Sequence, residues 1–205
     1  ASYSPIDKHC VITVVGLDNA GKSTLYERLK DFNSKSIKTL PTLHFNVLNH
    51  YYAGRRVCNV WDLGGQEKLR KHWDAYLQET VILVCMIDIM DKERWVKSLE
   101  EIDSLCNHQN KCPMVIVANK IDLIQEGDNR LDELFNLCKQ QLATHIPTRE
   151  ILMTKMSALN NMHVNEFTQT ISYLLYEHNT NWQTSLLLTL SMTDKKKPLM
   201  VKQIS

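Results

Sequence analysis

Val11-Ile12-Thr13-Val14-Val15-Gly16-Leu17-Asp18-Asn19-Ala20-Gly21-Lys22-Ser23-Thr24 is the stretch that decides how the rest of the chain is read. The first five residues are an apolar, β-branched run that predicts a strand, here taken over Val11–Gly16. Glycines at 16 and 21 then bracket a turn that closes on a lysine and two hydroxyls. Successive backbone N–H groups can face a single anion only where the chain bends tightly, which Gly16 and Gly21 permit. Lys22 adds a point charge for β- and γ-phosphate oxygens, the Ser23 hydroxyl suits a Mg²⁺ shell, and the helix beginning there aims its positive end at the anion. A glycine turn that binds nothing would not need Lys-Ser at these two positions. Residues Gly16, Asp18, Asn19, Ala20, Gly21, Lys22, Ser23 and Thr24 are therefore the expected phosphate-binding loop.

The bulk properties leave room for one domain. At 205 residues the chain can bury a sizeable α/β core but not two of them. A formal charge of +1, from 24 basic and 23 acidic side chains, lacks the positive surplus that binding to a nucleic-acid backbone needs, so no nucleic-acid partner is expected. The six cysteines are scattered without a CxxC pair, and Cys10, Cys58 and Cys85 lie in or beside apolar runs, as buried reduced thiols do. Cys106-x-His108-x-x-x-Cys112 lacks the second ligand pair that a zinc site requires. No apolar stretch approaches the ~18 residues of a membrane span and no apolar signal core opens the chain, which predicts a soluble, cytoplasmic protein.

Short β-branched runs alternate with helical patterns, the mark of a mostly parallel sheet covered on both faces. Further strands are expected at 45–51, 56–62, 81–88, 114–119 and 150–156, with helices at 22–30, 68–77, 92–106, 130–142 and 165–176. The second and third strands are separated only by residues around Ala53-Gly54, too few for a crossover, so they form a hairpin and make one antiparallel edge. The expected fold is thus a six-stranded, mostly parallel sheet with one antiparallel edge strand and about five flanking helices. Ligands of such sheets bind beyond the carboxyl ends of the strands. Every motif of this chain lies at such an end.

Two of those motifs narrow the chemistry. In Asn119-Lys120-Ile121-Asp122, the Asp122 carboxylate can accept hydrogen bonds in parallel from the ring N1–H and exocyclic amine of guanine, whereas adenine has no donor at N1. The Lys120 stem can lie along the base, the Asn119 amide can tie this loop to the phosphate loop, and Ser157-Ala158 follows the last strand. In Asp62-Leu63-Gly64-Gly65-Gln66, Asp62 would hold Mg²⁺ through a water, the Gly65 N–H can reach a γ-phosphate, and Gln66 can orient the attacking water. A glycine turn closing a strand would account for the glycines but for neither Asp62 nor Gln66. The remaining Mg²⁺ ligand must come from the loop before the second strand, where Thr42 is preferred and Thr39 is the substitute.

Gly16 to Thr24, Pro41-Thr42-Leu43, Phe45-Asn46-Val47, Trp61-Asp62-Leu63-Gly64-Gly65-Gln66-Glu67-Lys68 and Asn119-Lys120-x-Asp122 together resemble the Arf, Arf-like and Sar branch of small GTPases, over about residues 9–178. His44 and the Asn-Lys-Ile-Asp wording are Sar-like, while Gln66 is Arf-like. The resemblance implies switch one within 38–51, switch two within 62–78, and a hairpin between them that slides in register when the nucleotide changes. It also implies that Phe45, Trp61 and Tyr76 form a nucleotide-sensitive face for effectors, although each residue type packs equally well in a core. The expected function is a monomeric, Mg²⁺-dependent GTP/GDP switch with slow hydrolysis. Its partners would be an exchange factor, a GTPase-activating protein and effectors, and its setting membrane traffic or organelle signalling. The alternative is a guanine-nucleotide-binding scaffold with little turnover.

The flanks, 1–8 and 179–205, fall outside the expected domain of 9–178. Residues 1–8 carry neither a glycine for myristoylation nor the length of an amphipathic helix. After Asn181-Trp182 come Leu186-Leu187-Leu188-Thr189-Leu190 and Lys195-Lys196-Lys197-Pro198, an apolar patch followed by three lysines. Such a segment can make a peripheral contact with an anionic membrane, or it can pack back on the domain or stay partly disordered, which is the preferred expectation.

Overall fold

The computed structural model describes residues 10–40, 42, 44–54, 56–108, 110–177 and 199–200. Among these residues seven strands lie in one sheet of order β2-β3-β1-β4-β5-β6-β7. They are β1 Val11–Val15, β2 Phe45–Ala53, β3 Arg56–Leu63, β4 Thr80–Asp88, β5 Met114–Asn119, β6 Ile151–Met156 and β7 Leu199–Met200. The strands β1, β3, β4, β5 and β6 run parallel, and β2 pairs antiparallel with β3 as the hairpin spacing requires. The two-residue β7 pairs antiparallel with the free edge of β6 and adds to the six strands expected. It has no alternating run in the sequence to announce it. The remainder of the C-terminal flank, with Trp182, the leucine run and the lysines, lies outside the described residues, as do residues 1–9.

The central strands are apolar on both faces, so alternate residues fill two cores. From β4, Ile82, Val84 and Met86 face one core with Leu25 of α1 (Lys22–Lys30) and with Phe167, Ile171 and Leu174 of α6 (Val164–Glu177). Leu83, Cys85 and Ile87 face the other, against Leu99, Ile102 and Leu105 of α4 (Trp95–Cys106) and Leu134 and Cys138 of α5 (Arg130–Gln141). Each of these side chains other than the cysteines, once buried, contributes about 1.5–3 kcal/mol relative to exposure. All six cysteines are buried and none is in a disulfide. Burial pushes the Cys85 thiol well above its ordinary range, which keeps it protonated and inert.

The segment expected as one helix over 68–77 is two short ones, α2 Glu67–Arg70 and α3 Trp73–Leu77. Tertiary anchors break it: Arg70 Nε donates to the Gly65 carbonyl at 3.1 Å and Trp73 Nε1 to the Gly64 carbonyl at 3.1 Å, folding both ends back onto the preceding turn. Likewise, residues Lys92–Arg94 form a 3₁₀ turn ahead of α4 rather than its first turn.

Candidate functional site

Because five strands are parallel, their carboxyl ends meet at one sheet edge, and register fixes which residues share it. Val14 pairs with Asp62, Asp88 with Asn119, and Asn119 with Met156, which delivers the loops after β1, β3, β5 and β6 side by side. Gly16 has φ +147° and Gly21 φ +92°, a backbone region that L side chains rarely adopt. A Cβ on Gly16 would lie 2.3 Å from the Met86 carbonyl oxygen, and one on Gly21 2.1 Å from Asn119 Nδ2. Both glycines are therefore required by close approach as well as by conformation.

Ser23, Thr42 and Asp62 come together although 19 to 39 residues separate them in sequence. The Ser23 hydroxyl donates to Asp62 Oδ2 at 2.8 Å and lies 2.8 Å from Thr42 Oγ1, which in turn donates to the same Asp62 oxygen at 3.2 Å. Asn46 Nδ2 donates to Asp62 Oδ2 as well, at 3.0 Å, and to Thr42 Oγ1 at 3.3 Å. Asp62 is fully buried, yet its Oδ1 has no hydrogen-bond partner among the described residues. A buried carboxylate oxygen without a donor is costly. A hard divalent cation with oxygen ligands fits this donor set, since two hydroxyls and a carboxylate are the oxygen types that Mg²⁺ takes. Thr39, the substitute ligand, is exposed and outside this group.

Lys22 is 6% exposed and donates to the Leu17 carbonyl at 2.9 Å. Burial lowers its pKa to about 8, against the opposing charges of Asp62 and Asp18. The backbone of Gly65 lies directly over it: a Cβ there would be 2.4 Å from Lys22 Nζ, 2.5 Å from the Gly16 carbonyl oxygen and 2.6 Å from the Asp18 nitrogen. Gln66 follows as the residue before α2, exposed, with its carbonyl accepting from Leu69 and Arg70.

Asn119 is buried and bridges two loops. Its Nδ2 donates to the Ala20 carbonyl at 2.9 Å, and its Oδ1 accepts from the Ala158 N–H at 3.1 Å. Lys120 takes the left-handed conformation, φ +68°, and its amine pairs with Asp88 Oδ2 at 2.7 Å. Asp122 Oδ2 accepts from Asn160 Nδ2 at 3.0 Å, and Ser157 Oγ accepts from the Asn160 N–H at 3.1 Å. Arg28, 4% exposed, makes no ion pair among the described residues. Its guanidinium donates instead to the carbonyls of Ala158, Leu159, Phe32 and Ser34 at 2.6–3.0 Å, which binds α1 to the Ser157-Ala158 loop. Thr24 sits in the first turn of α1, half-buried, and Asn19 takes φ +64° at the exposed tip of the loop.

All the residues expected at the site thus lie along this edge. Sequence reasoning assigned no part to Asn46, Asp88, Arg94, Arg28 or Asn160. Only a strand register or a loop path brings them there, and no motif spells either.

Among the described residues no helix is long and apolar enough to cross a membrane. The family model of the ADP-ribosylation factor family (Arf) matches residues 1–175. The chain is 39% identical over 147 residues to ADP-ribosylation factor-like protein 14 of Mus musculus, spanning 68% of this chain and 76% of the mouse protein. It is 40% identical over 118 residues to an ADP-ribosylation factor of Encephalitozoon cuniculi, spanning 57% and 56% respectively. Its fold is similar to that of the Arl6 BBS3 small GTPase from Trypanosoma brucei with bound nucleotide analogue GppNp, at a TM-score of 0.68 and 22% identity, covering 83% of this chain and 98% of that one. The mammalian SRP receptor structure aligns at a TM-score of 0.64 and 17% identity, covering 80% and 99%. These two likenesses concern the fold alone. The match over residues 1–175 concerns descent: the chain belongs to the ADP-ribosylation factor family and is a small GTPase, a GTP hydrolase by class.

Proposed function

We propose that the chain is a Mg²⁺-dependent guanine-nucleotide switch whose slow GTP hydrolysis sets how long it signals. The observation that carries this reading is the meeting, at one sheet edge, of the Ser23, Thr42 and Asp62 oxygens with the Asn119 bridge to the loop bearing Asp122. In this reading the N–H groups of Gly16 to Thr24 and the Lys22 amine hold the phosphates. Asp122 accepts from the guanine N1–H and amine, with Lys120 along the base and the Ser157-Ala158 loop tied to this segment through Asn119. Ser23, Thr42 and Asp62, the last through a water, would hold Mg²⁺, which would supply positive charge against the phosphates. Gly65 meets the γ-phosphate with its N–H, and Gln66 orients the attacking water. Among the described residues no switch arginine stands over this site as a free cation: Arg70 is engaged with Gly65 and Glu101. Hydrolysis then runs on the order of the ~10⁻⁴ s⁻¹ of an unassisted small GTPase, and an activating protein supplies the missing charge.

Phe45 and Trp61 both contact the Tyr76 ring, at centroid distances of 5.5 and 5.7 Å, and Phe45 remains 45% exposed. We assign this cluster to effector binding, since it joins the hairpin to the segment after Gln66. The catalytic domain spans 9–178 with flanks 1–8 and 179–205, acts as a monomer with an exchange factor, an activating protein and effectors, and serves membrane traffic or organelle signalling from the cytoplasm.

The test is displacement of a fluorescent GDP analogue from the full chain. GDP and GTP should compete, whereas ATP should be excluded by about 10⁴-fold, as a site built on hydrogen bonds to its substrate excludes an analogue that lacks the donors. Chelating Mg²⁺ should speed release at least about tenfold. Displacement by ATP at comparable concentration contradicts the reading.

A further inference from the structure

Asp18 is a carboxylate in a loop whose proposed task is to hold a polyanion. Its backbone nitrogen lies 2.6 Å from the point where a Gly65 Cβ would stand, and Lys22 Nζ lies 2.4 Å from the same point. Its charge is among those that act on Lys22. A carboxylate so placed repels a phosphate unless it is turned away or neutralised. The structure pairs it with one cationic side chain. Arg94, just before α4, donates from Nη1 to Asp18 Oδ1 at 3.1 Å and from Nη2 to the Asp18 carbonyl at 3.4 Å. Its Nε donates to Asp91 Oδ2 at 2.5 Å, and its own N–H bonds the Asp91 carbonyl at 3.1 Å, so the guanidinium is anchored from behind. Only a planar fork can span both acids in this way; an ammonium is a single point charge.

We propose that Arg94 is a positioning residue that sets the preference for GTP over GDP, by holding the Asp18 carboxylate away from the outermost phosphate. The inference rests on the guanine-nucleotide reading above. GTP carries one more phosphate than GDP, and in that reading it sits at the end of the site where Gly65, Lys22 and Asp18 meet. Loss of Arg94 therefore weakens GTP binding more than GDP binding. The pair is partly exposed, 37% for Arg94 and 53% for Asp18, so solvent moderates the effect. The expected change in the ratio of the two affinities is about fivefold, the upper end of what an exposed charge pair supplies.

The experiment measures dissociation constants of the full chain for GDP and for a non-hydrolysable GTP analogue at one Mg²⁺ concentration and pH. Arg94→Ala should lower the GTP-to-GDP preference about fivefold. Arg94→Lys, which keeps the charge and loses the fork, should fall between Arg94→Ala and wild type and gives a second reading if Arg94→Ala does not fold. Combining Arg94→Ala with Asp18→Asn should restore the preference to that of Asp18→Asn alone, because no carboxylate is left to restrain. A purely structural role for Arg94 would move both nucleotides together and would not be rescued at Asp18. An unchanged preference in Arg94→Ala and Arg94→Lys, or a double variant that keeps the defect, overturns the inference while leaving the nucleotide reading intact. A wild-type chain that binds neither nucleotide overturns that reading and the inference with it.

Discussion

Lys22 is the residue in which burial and function are most directly opposed. Desolvation lowers its pKa from 10.5 to about 8, and the neighbouring Asp62 and Asp18 restore only part of the loss. A lysine depressed in the folded state binds its proton less tightly than in the unfolded chain, so between about pH 8 and 10.5 stability rises with pH. Nucleotide binding has the opposite sign, because phosphates favour the ammonium. Binding at pH 8 should take up roughly half a proton, read by calorimetry in buffers of different ionisation heat, and affinity should fall as pH rises through 8. Zero uptake contradicts the placement of Lys22 against phosphate. The sequence made Lys22, Ser23, Asp62 and Asn119 legible because each stands at a fixed offset within a local motif. Asn46 was not legible, although it donates to the same Asp62 oxygen as Ser23 and Thr42, since its position depends on a register set many residues away. Asn160 is hidden for a similar reason: the loop after Ser157 must turn back before its amide can meet Asp122.

The register that places Asn46 is a property of the β2–β3 hairpin. From its tip the pairs run Ala53 with Arg56, Tyr52 with Val57 and Tyr51 with Cys58, then resume as Leu48 with Val60 and Asn46 with Asp62. Asn49 and His50 thus oppose the single residue Asn59, a β-bulge, and His50 takes φ +58° to accommodate it. Counting regularly from the tip would set Asn46 opposite Leu63 and turn its side chain to the other face, so the extra residue supplies the fourth partner of the Ser23–Thr42–Asp62 group. The existence of the hairpin was readable from the short spacing around Gly54, but the bulge was not. No glycine marks it, and a histidine in the left-handed region costs on the order of 1 kcal/mol. Replacing His50 by glycine should relieve that strain and raise the melting temperature by about 1–3 °C. A clear fall in melting temperature would show that the imidazole, rather than the backbone, holds the bulge.

At the scale of the molecule, the fold delivers four loops to one edge and buries the strands that carry them. Strand runs such as Val81 to Asp88 and Met114 to Asn119 were readable to within a residue because a strand covered on both faces is apolar throughout. The division of 67–77 into α2 and α3 was not, because bonds from Arg70 and Trp73 to the Gly64-Gly65 turn override the local helical pattern. Arg28 was equally unreadable. Nothing local distinguishes a surface arginine of α1 from one that donates to four carbonyls across two loops. Arg70 and Trp73 hold the Gly64-Gly65 turn in place ahead of Gln66, and in the proposed function Gln66 sets the rate of GTP hydrolysis there. The direct measurement is single-turnover hydrolysis of GTP preloaded on the full chain with Mg²⁺. The wild type should turn over on the order of 10⁻⁴ s⁻¹, and Gln66→Leu, still holding its GTP, should be slower by at least about tenfold. Equal rates for the two chains would contradict the claim.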